Sequence, residues 1–302
     1  MRSEDGLRAL SRDASHVAVR AFLKAAEPAA LREAVGLTWQ CLEPEHLVQS
    51  VSPNDLFAES DGRLSIGAIA VLADSTLGSA GTIHGGYRFG ATVGLHVELA
   101  YPMADPPVPV LASASVVAAD PAGCLVVGEL TAPDGARLGY ASLRAVAVDL
   151  RRAPTRAVSK AVGRAQVNSA TAPVTPQRQV GVDSRLGVDV VEAAHGRSRL
   201  VVRVGAGLAN GAGRLHGGIV ASVAHRGARH AIVSAMTADE SVHDLVLDVD
   251  LIRPVPPGGV VLEVHGAVQS RTRRYAWAES EVLLPDGKVA ARSRVAAAIH
   301  PR

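Results

Sequence analysis

The chain resembles itself. Residues 62–80 (GRLSIGAIAVLADSTLGSA) and 213–231 (GRLHGGIVASVAHRGARHA) match without a gap at a spacing of 151 residues. Gly-Arg-Leu meets Gly-Arg-Leu, Gly67 meets Gly218, and Ala80 meets Ala231. Farther on, VELAYP ending at Pro102 meets VDLIRP ending at Pro254, and the Pro-Asp-Gly turns at 133–135 and 285–287 meet, both at a spacing of 152. Self-similarity at a fixed spacing marks a repeated structural unit. With 302 residues, 48% of them hydrophobic, the chain has enough apolar material to give each copy its own core. The duplication therefore predicts a tandem pair of like domains.

Each copy has the same plan. An extended stretch and a polar loop precede an apolar helix of about 15 residues, and several strands joined by turns follow. In the second copy, Val/Leu alternation predicts strands near 199–205, 245–253, 259–269, 274–284 and 288–299, with Pro-Asp-Gly as a hairpin turn. One long helix with an antiparallel sheet large enough to wrap it is an α+β unit. The repeats are assigned to residues 37–150 and 179–302. Between them, 151–178 is read as a linker, since the stretch 151–180 holds six basic residues, three prolines and no acid. Residues 1–36 are read as an N-terminal extension holding two amphipathic helices separated at Pro28, a packing accessory.

Composition excludes several functions. The 31 Lys+Arg against 29 Asp+Glu leave a net charge of +2, which gives no reason to expect a nucleic-acid partner or an acidic membrane surface. Cys41 and Cys124 cannot build a disulfide framework and read as buried thiols of a reducing cytoplasm. The opening MRSEDGLRAL carries acids where a signal peptide needs a basic and then an apolar region. No apolar run is seen to approach the ~20 residues of a membrane span. A cytoplasmic protein is expected.

His-Gly-Gly occurs twice, and the register separates the copies. His216-Gly217-Gly218 opens the central helix of the second repeat, where the first has Ser65-Ile66-Gly67. His84-Gly85-Gly86 falls after the first repeat's helix and reads as a glycine-rich loop before a strand. The first turn of a helix leaves backbone N–H groups unpaired at the positive end of its dipole. Glycine there lets a ligand approach the backbone closely, which suits an anion or a carbonyl oxygen that becomes one.

The pattern of Asn210, then His216-Gly217-Gly218 six positions on, with an acid position nine beyond the His, resembles the hotdog-fold acyl-CoA thioesterases of the PaaI-like branch. The resemblance covers about 240 residues and implies a double hotdog, two long helices each wrapped by a curved antiparallel sheet, with sites where the repeats face each other. It assigns the glycine after the His to the thioester carbonyl. The facing helix supplies an acid as base or nucleophile, and a Ser or Thr ten positions before a Pro supports that acid. Here the parts are split. The second repeat has the helix-start motif, but His225 stands at the acid position and Asp244 at the hydroxyl position. The first repeat has Ser65 and Ile66 at the helix start and Glu59 at the Asn position. Yet it keeps Asp74 nine beyond Ser65 and Thr92 ten before Pro102. One complete set survives: Asn210, His216 and Gly217 facing Asp74 and Thr92. The opposite set is expected to be silent.

The resemblance thus implies a thioesterase acting on an acyl-CoA at one composite site. Asp74, Gly217, Thr92, His216 and Asn210 would be catalytic, and Asp74 either activates water or attacks directly. Gly218 is expected to contact substrate. Arg271, Arg273 and Arg274 fit coenzyme A phosphates or a solvated hairpin equally well. His225 and His230 read as interface or surface histidines. Coenzyme A enters only as part of the substrate, and no cofactor or metal is called for. Two double units could pair as a homodimer, though no residue specifies it. The alternative is a non-catalytic acyl-CoA- or lipid-binding regulatory protein. A hotdog hydratase is disfavoured because Asp-x-Asn-Pro-x-His is absent.

Overall fold

Strands form where apolar and polar residues alternate and one face is covered. The computed structural model describes residues 29–43, 46–53, 58–59, 63–84, 90–100, 108–148 and 182–302. The expected linker at 151–178, the first of the two N-terminal helices, and Gly85 and Gly86 lie outside the described residues. The first repeat contributes β1 (Leu37–Glu43), β2 (His46–Val51), β3 (Gly90–Leu99), β4 (Val110–Asp120), β5 (Gly123–Thr131) and β6 (Arg137–Ala147). The second contributes β7 (Val188–Ala194), β8 (Arg197–Arg203), β9 (Glu240–Leu251), β10 (Val261–Arg271), β11 (Tyr275–Leu283) and β12 (Val289–Pro301). Helices α1 (Ala29–Val35) and α2 (Ile66–His84) belong to the first half, α3 (Val182–Leu186) and α4 (Gly217–Ser234) to the second.

All twelve strands join one antiparallel sheet in the order β1-β2-β4-β5-β6-β3-β9-β12-β11-β10-β8-β7. Read outward from its centre, each half repeats the same order, and each half packs on its own long helix. This is the expected double hotdog. The Pro-Asp-Gly hairpins form with Gly135 and Gly287 at φ 87° and 77°, the left-handed region that glycine enters without steric cost. Strand β7 escapes the alternation reading because a bulge between Val190 and Glu192 breaks its period at an exposed edge. The central helices run 19 and 18 residues, longer than expected, and His84 is the last residue of α2 rather than part of a loop. Both cysteines are half-buried and free, less enclosed than expected.

Helix α2 also corrects the expectation of no span-like run. By length and a mean hydropathy of 1.4 it could cross a membrane, but 89% of that stretch is buried within the protein. A helix wrapped by a sheet and crossed by a second helix is apolar all round for that reason. The crossing itself uses small residues. A Cβ on Gly218 would lie 2.5 Å from Val71 Cα, and one on Gly67 2.6 Å from Ser222 Oγ. Val71 and Ser222 are equivalents at the 151-residue spacing, so these are two views of one pseudo-symmetric contact. Helix α1 packs on the 3-10 turn Ala206–Leu208 of the other repeat, and α3 occupies its place in the second half.

The pseudo-dyad passes through the β3/β9 seam, where His96 pairs with Asp248. These residues are 152 apart, so each is its own partner's equivalent. In a symmetric homodimer two identical residues would meet here; in the fused chain His meets Asp, with Nδ1 2.6 Å from Oδ1. The bond to Asp248 raises the His96 pKa against the opposing effect of burial, and the same bond lowers that of Asp248. A raised histidine stabilises below its unfolded pKa of about 6.5, and that contribution is lost as pH rises through the folded value. A lowered aspartate stabilises above about pH 4, and that contribution is lost as pH falls. Urea denaturation of wild type and His96→Gln should therefore differ most near pH 5.5, by about 1 kcal/mol, and converge toward pH 9. An equal difference at both pH values would refute the assignment.

Candidate active site

Helix α4 begins where the chain turns at Asn210. Asn210 Oδ1 accepts from the backbone N–H groups of Ala212 and Arg214 at 3.0 and 3.1 Å, an Asx turn that delivers His216 to the N-cap position of α4. The first-turn amides of α4 meet a carboxylate from α2. Gly218 N–H donates to Asp74 Oδ2 at 2.7 Å, and Thr92 Oγ1, on β3, donates to Asp74 Oδ1 at 2.7 Å. His216 Nδ1 lies 3.2 Å from Asp74 Oδ2 and 3.2 Å from the Gly218 nitrogen. The Gly218 N–H is thus shared, the shorter bond going to Asp74 and the longer one to His216 Nδ1 as the N-cap acceptor. Asp74 and His216 are 7% and 6% exposed; both are held from two repeats in a nearly dry setting at the positive end of a helix.

Gly217 N–H, by contrast, has no partner among the described residues, and Gly217 lines a cavity of about 470 Å³. A Cβ on Gly217 would lie 2.7 Å from Asp74 Oδ2, so a side chain here would push the carboxylate away. The cavity is bounded by Asp74, Thr92, Asn210 and His216, with Arg214 and Arg253 also in its wall. The structure thus brings together Asp74, Thr92, Asn210, His216 and Gly217.

Two expectations are corrected. Gly218 does not line the cavity; its N–H is spent on Asp74 and its Cα is pressed against the Val71 backbone. Arg271, Arg273 and Arg274 are not brought to the site. Arg271 pairs with Glu240 at 2.5 Å, at the start of β9, whereas the cavity touches Leu251 at its end. That separation is roughly 35 Å of strand. The basic cluster sits at the β10–β11 turn, at the end of the strands remote from the cavity. The cations that border the cavity, Arg214 and Arg253, carry no motif. The repeat spacing alone could have drawn attention to them, since both lie within segments already matched by it.

The pseudo-symmetric position is filled by the chain itself. At the spacing of 151, Ser75 corresponds to Arg226, Gly78 to Arg229 and Ser79 to His230. Arg229 reaches Asp244, the Thr92 equivalent, at 2.9 Å, and Asp244 also holds His225 at 2.8 Å. Arg226 reaches Glu59, the Asn210 equivalent, at 2.8 Å and Asp183 at 2.6 Å. His230 pairs with Asp183 at 2.8 Å. Burial disfavours charge on Asp244, yet Arg229 and His225 outweigh it and hold the carboxyl well below the usual range. Burial opposes charge on Asp183 likewise, and His230 and Arg226 overcome it. At the start of α2 the helix is capped in the ordinary way, Ser65 Oγ accepting from Ala68 N–H at 3.1 Å, and Ile66 replaces the glycine. His225 is fully buried within this network, not at the surface. Among the described residues no group of His, Cys, Asp and Glu is arranged to hold a metal ion.

No family model matches the sequence, and no curated relative matches it. Solved structures do. The tesB protein MAP1729c of Mycobacterium avium subs paratuberculosis superimposes with a TM-score of 0.63 at 12% identity, covering 90% of this chain and 100% of that one. The acyl-CoA thioesterase II TesB2 from Mycobacterium marinum gives 0.58 at 11% identity over 90% and 98%. A conserved protein of unknown function with a hot dog fold from Alicyclobacillus acidocaldarius gives 0.59 at 12% over 90% and 98%. At these identities the likeness establishes the fold, a hotdog pair spanning nearly the whole chain.

Proposed function

We propose that the protein hydrolyses acyl thioesters, with an acyl-CoA as substrate, at the single composite site between its repeats. One observation carries this reading. A carboxylate from one repeat is held between a hydroxyl of its own repeat and a helix-start amide of the other, beside a second helix-start amide that has no partner among the described residues and belongs to a residue lining a cavity. Thioester hydrolysis places negative charge on the carbonyl oxygen. Gly217 N–H and the dipole of α4 are ready to receive it, and such a donor contributes about 3–4 kcal/mol to the barrier. Asp74 stands at the same helix end, close enough to the Gly217 backbone that both can reach one small group. It takes a proton from the water that attacks the carbonyl carbon, or attacks that carbon itself to form an anhydride that water then opens. In either route the C–S bond breaks and coenzyme A leaves as the thiolate, which takes a proton from solvent, and Thr92 fixes the Asp74 orientation. Arg214 and Arg253 give the cavity wall positive charge suited to the phosphates of a coenzyme A thioester. That the superimposable protein from Mycobacterium marinum is an acyl-CoA thioesterase II accords with this chemistry. A cytoplasmic setting, where acyl-CoA is made and used, goes with the proposal.

The test is a thiol-release assay over short, long and aromatic acyl-CoAs. Turnover of at least one, well above the rate without enzyme, is expected. Saturable binding without turnover across the panel would replace the enzyme by a carrier or sensor.

A further inference from the structure

We propose that the acyl pocket selects chains bearing a hydroxyl or oxo group, with the Ser79 hydroxyl as the recognising group and Gly78 as the residue that makes room. The inference rests on the thioesterase reading and narrows its substrate class. Past Asp74, the face of α2 that lines the cavity carries Ser75, Gly78, Ser79 and Thr82. Two of its three hydroxyls are committed. Ser75 Oγ donates to Gln49 Oε1 at 2.5 Å, and Thr82 Oγ1 donates to the Gly78 carbonyl at 2.8 Å. Ser79 is 6% exposed, borders the cavity, and its hydroxyl has no partner among the described residues. Its Oγ is not among the sealed, unpartnered polar atoms of the described residues, so the free hydroxyl opens onto the cavity, where a ligand can reach it. Water can meet this hydroxyl while the cavity is empty, but an acyl chain that fills the cavity displaces it and must pair the hydroxyl itself or leave it unpaired, at a cost of about 1–3 kcal/mol. A polar group on the acyl chain itself satisfies the site. It would sit about 7–8 Å along the helix axis from Asp74.

The filled twin supports the geometry independently. There the residue at Gly78's position is Arg229, and its side chain crosses to the Thr92 equivalent at 2.9 Å. The residue at Ser79's position is His230, hydrogen-bonded to Asp183. A group rising from position 78 thus spans the space beside the carboxylate, and a polar group at position 79 is accustomed to a partner. Gly78 leaves that space open: a Cβ there would meet only Leu143 Cδ1, at 3.9 Å.

The experiment compares kcat/KM for acyl-CoAs of equal length with and without a hydroxyl stepped along the chain, using wild type, Ser79→Ala and Gly78→Leu. A hydroxyl at one position should raise kcat/KM about five- to tenfold. Ser79→Ala should erase that preference while still hydrolysing the unsubstituted chain. Gly78→Leu should shift the optimum to shorter acyl groups. Turnover with no preferred position, or a preference that survives in Ser79→Ala, overturns the inference and leaves the thioesterase reading standing. No turnover of any acyl-CoA by the wild type removes both.

Discussion

Replacing Asp74 by Asn is expected to lower kcat by between about a hundredfold and ten-thousandfold, the range set by loss of a positioned proton acceptor or nucleophile. The substitution is nearly isosteric, so the cavity keeps its shape. An amide oxygen can still accept from Thr92 Oγ1, now 2.7 Å from Oδ1. The amide nitrogen, however, would then face Gly218 N–H, which at present donates to Oδ2 at 2.7 Å. Two donors oppose each other, and neither an amide oxygen nor an amide nitrogen can deprotonate water or attack a thioester. The fold should survive, since the surrounding packing of α2 against α4 is unchanged. Far-UV circular dichroism and the melting temperature check that, and KM should move much less than kcat. A variant that is folded and still turns over at the wild-type rate would remove Asp74 from the mechanism.

Replacing Arg226 by Ala should destabilise the protein by about 3–5 kcal/mol, the cost of leaving buried charges without their partner. Its side chain is 6% exposed and donates to Asp183 and Glu59 at 2.6 and 2.8 Å. Without it, two carboxylates remain in an interior that, among the described residues, offers them His230 and, at 3.9 Å, Arg229. For a chain of this size the melting temperature should fall by roughly 10 °C. The composite cavity is built from other residues, so hydrolysis measured well below the new melting point should stay close to wild type. A loss of stability under about 1 kcal/mol in urea denaturation would show that the network does not fill the second site as a charged plug. The two substitutions are thus opposite in kind: one removes activity from a folded protein, the other removes stability from an active one.

Both outcomes follow from how the duplicated halves have diverged. The comparison of DSTLGSA with HRGARHA in the aligned repeats shows the difference in side-chain size along the two helix faces. Ser75, Gly78 and Ser79 are small, and Arg226, Arg229 and His230 are large and basic. The register made Asp74 and Gly217 recognisable as parts of one site despite their 143-residue separation. It could not indicate that the arginines point inward, because an arginine on a helix is ordinarily solvated and its burial depends on acids arriving from other elements. Asp183 comes from α3, Asp244 from β9 and Glu59 from the first repeat. The same limit explains Arg271. A cluster of basic residues near an aromatic pair reads the same whether it borders a cavity or tips a hairpin, and only the strand direction of β9 places it at the remote end.

From residue order alone came the tandem architecture and the helix-start motif; the pairing of a carboxylate in one copy with an amide in the other came from the family resemblance that the register carries. These depend on local spacing and on a repeat, and both are written along the chain. The fold had to supply which first-turn amide is free. Gly218 is consumed by Asp74, whereas Gly217 is left for a ligand, and that choice is set by where Asp74 on α2 meets the first turn of α4. It also had to supply the emptiness of one cavity and the fullness of its twin. Whether a volume is occupied depends on side chains converging from distant segments, and no single segment carries that sum.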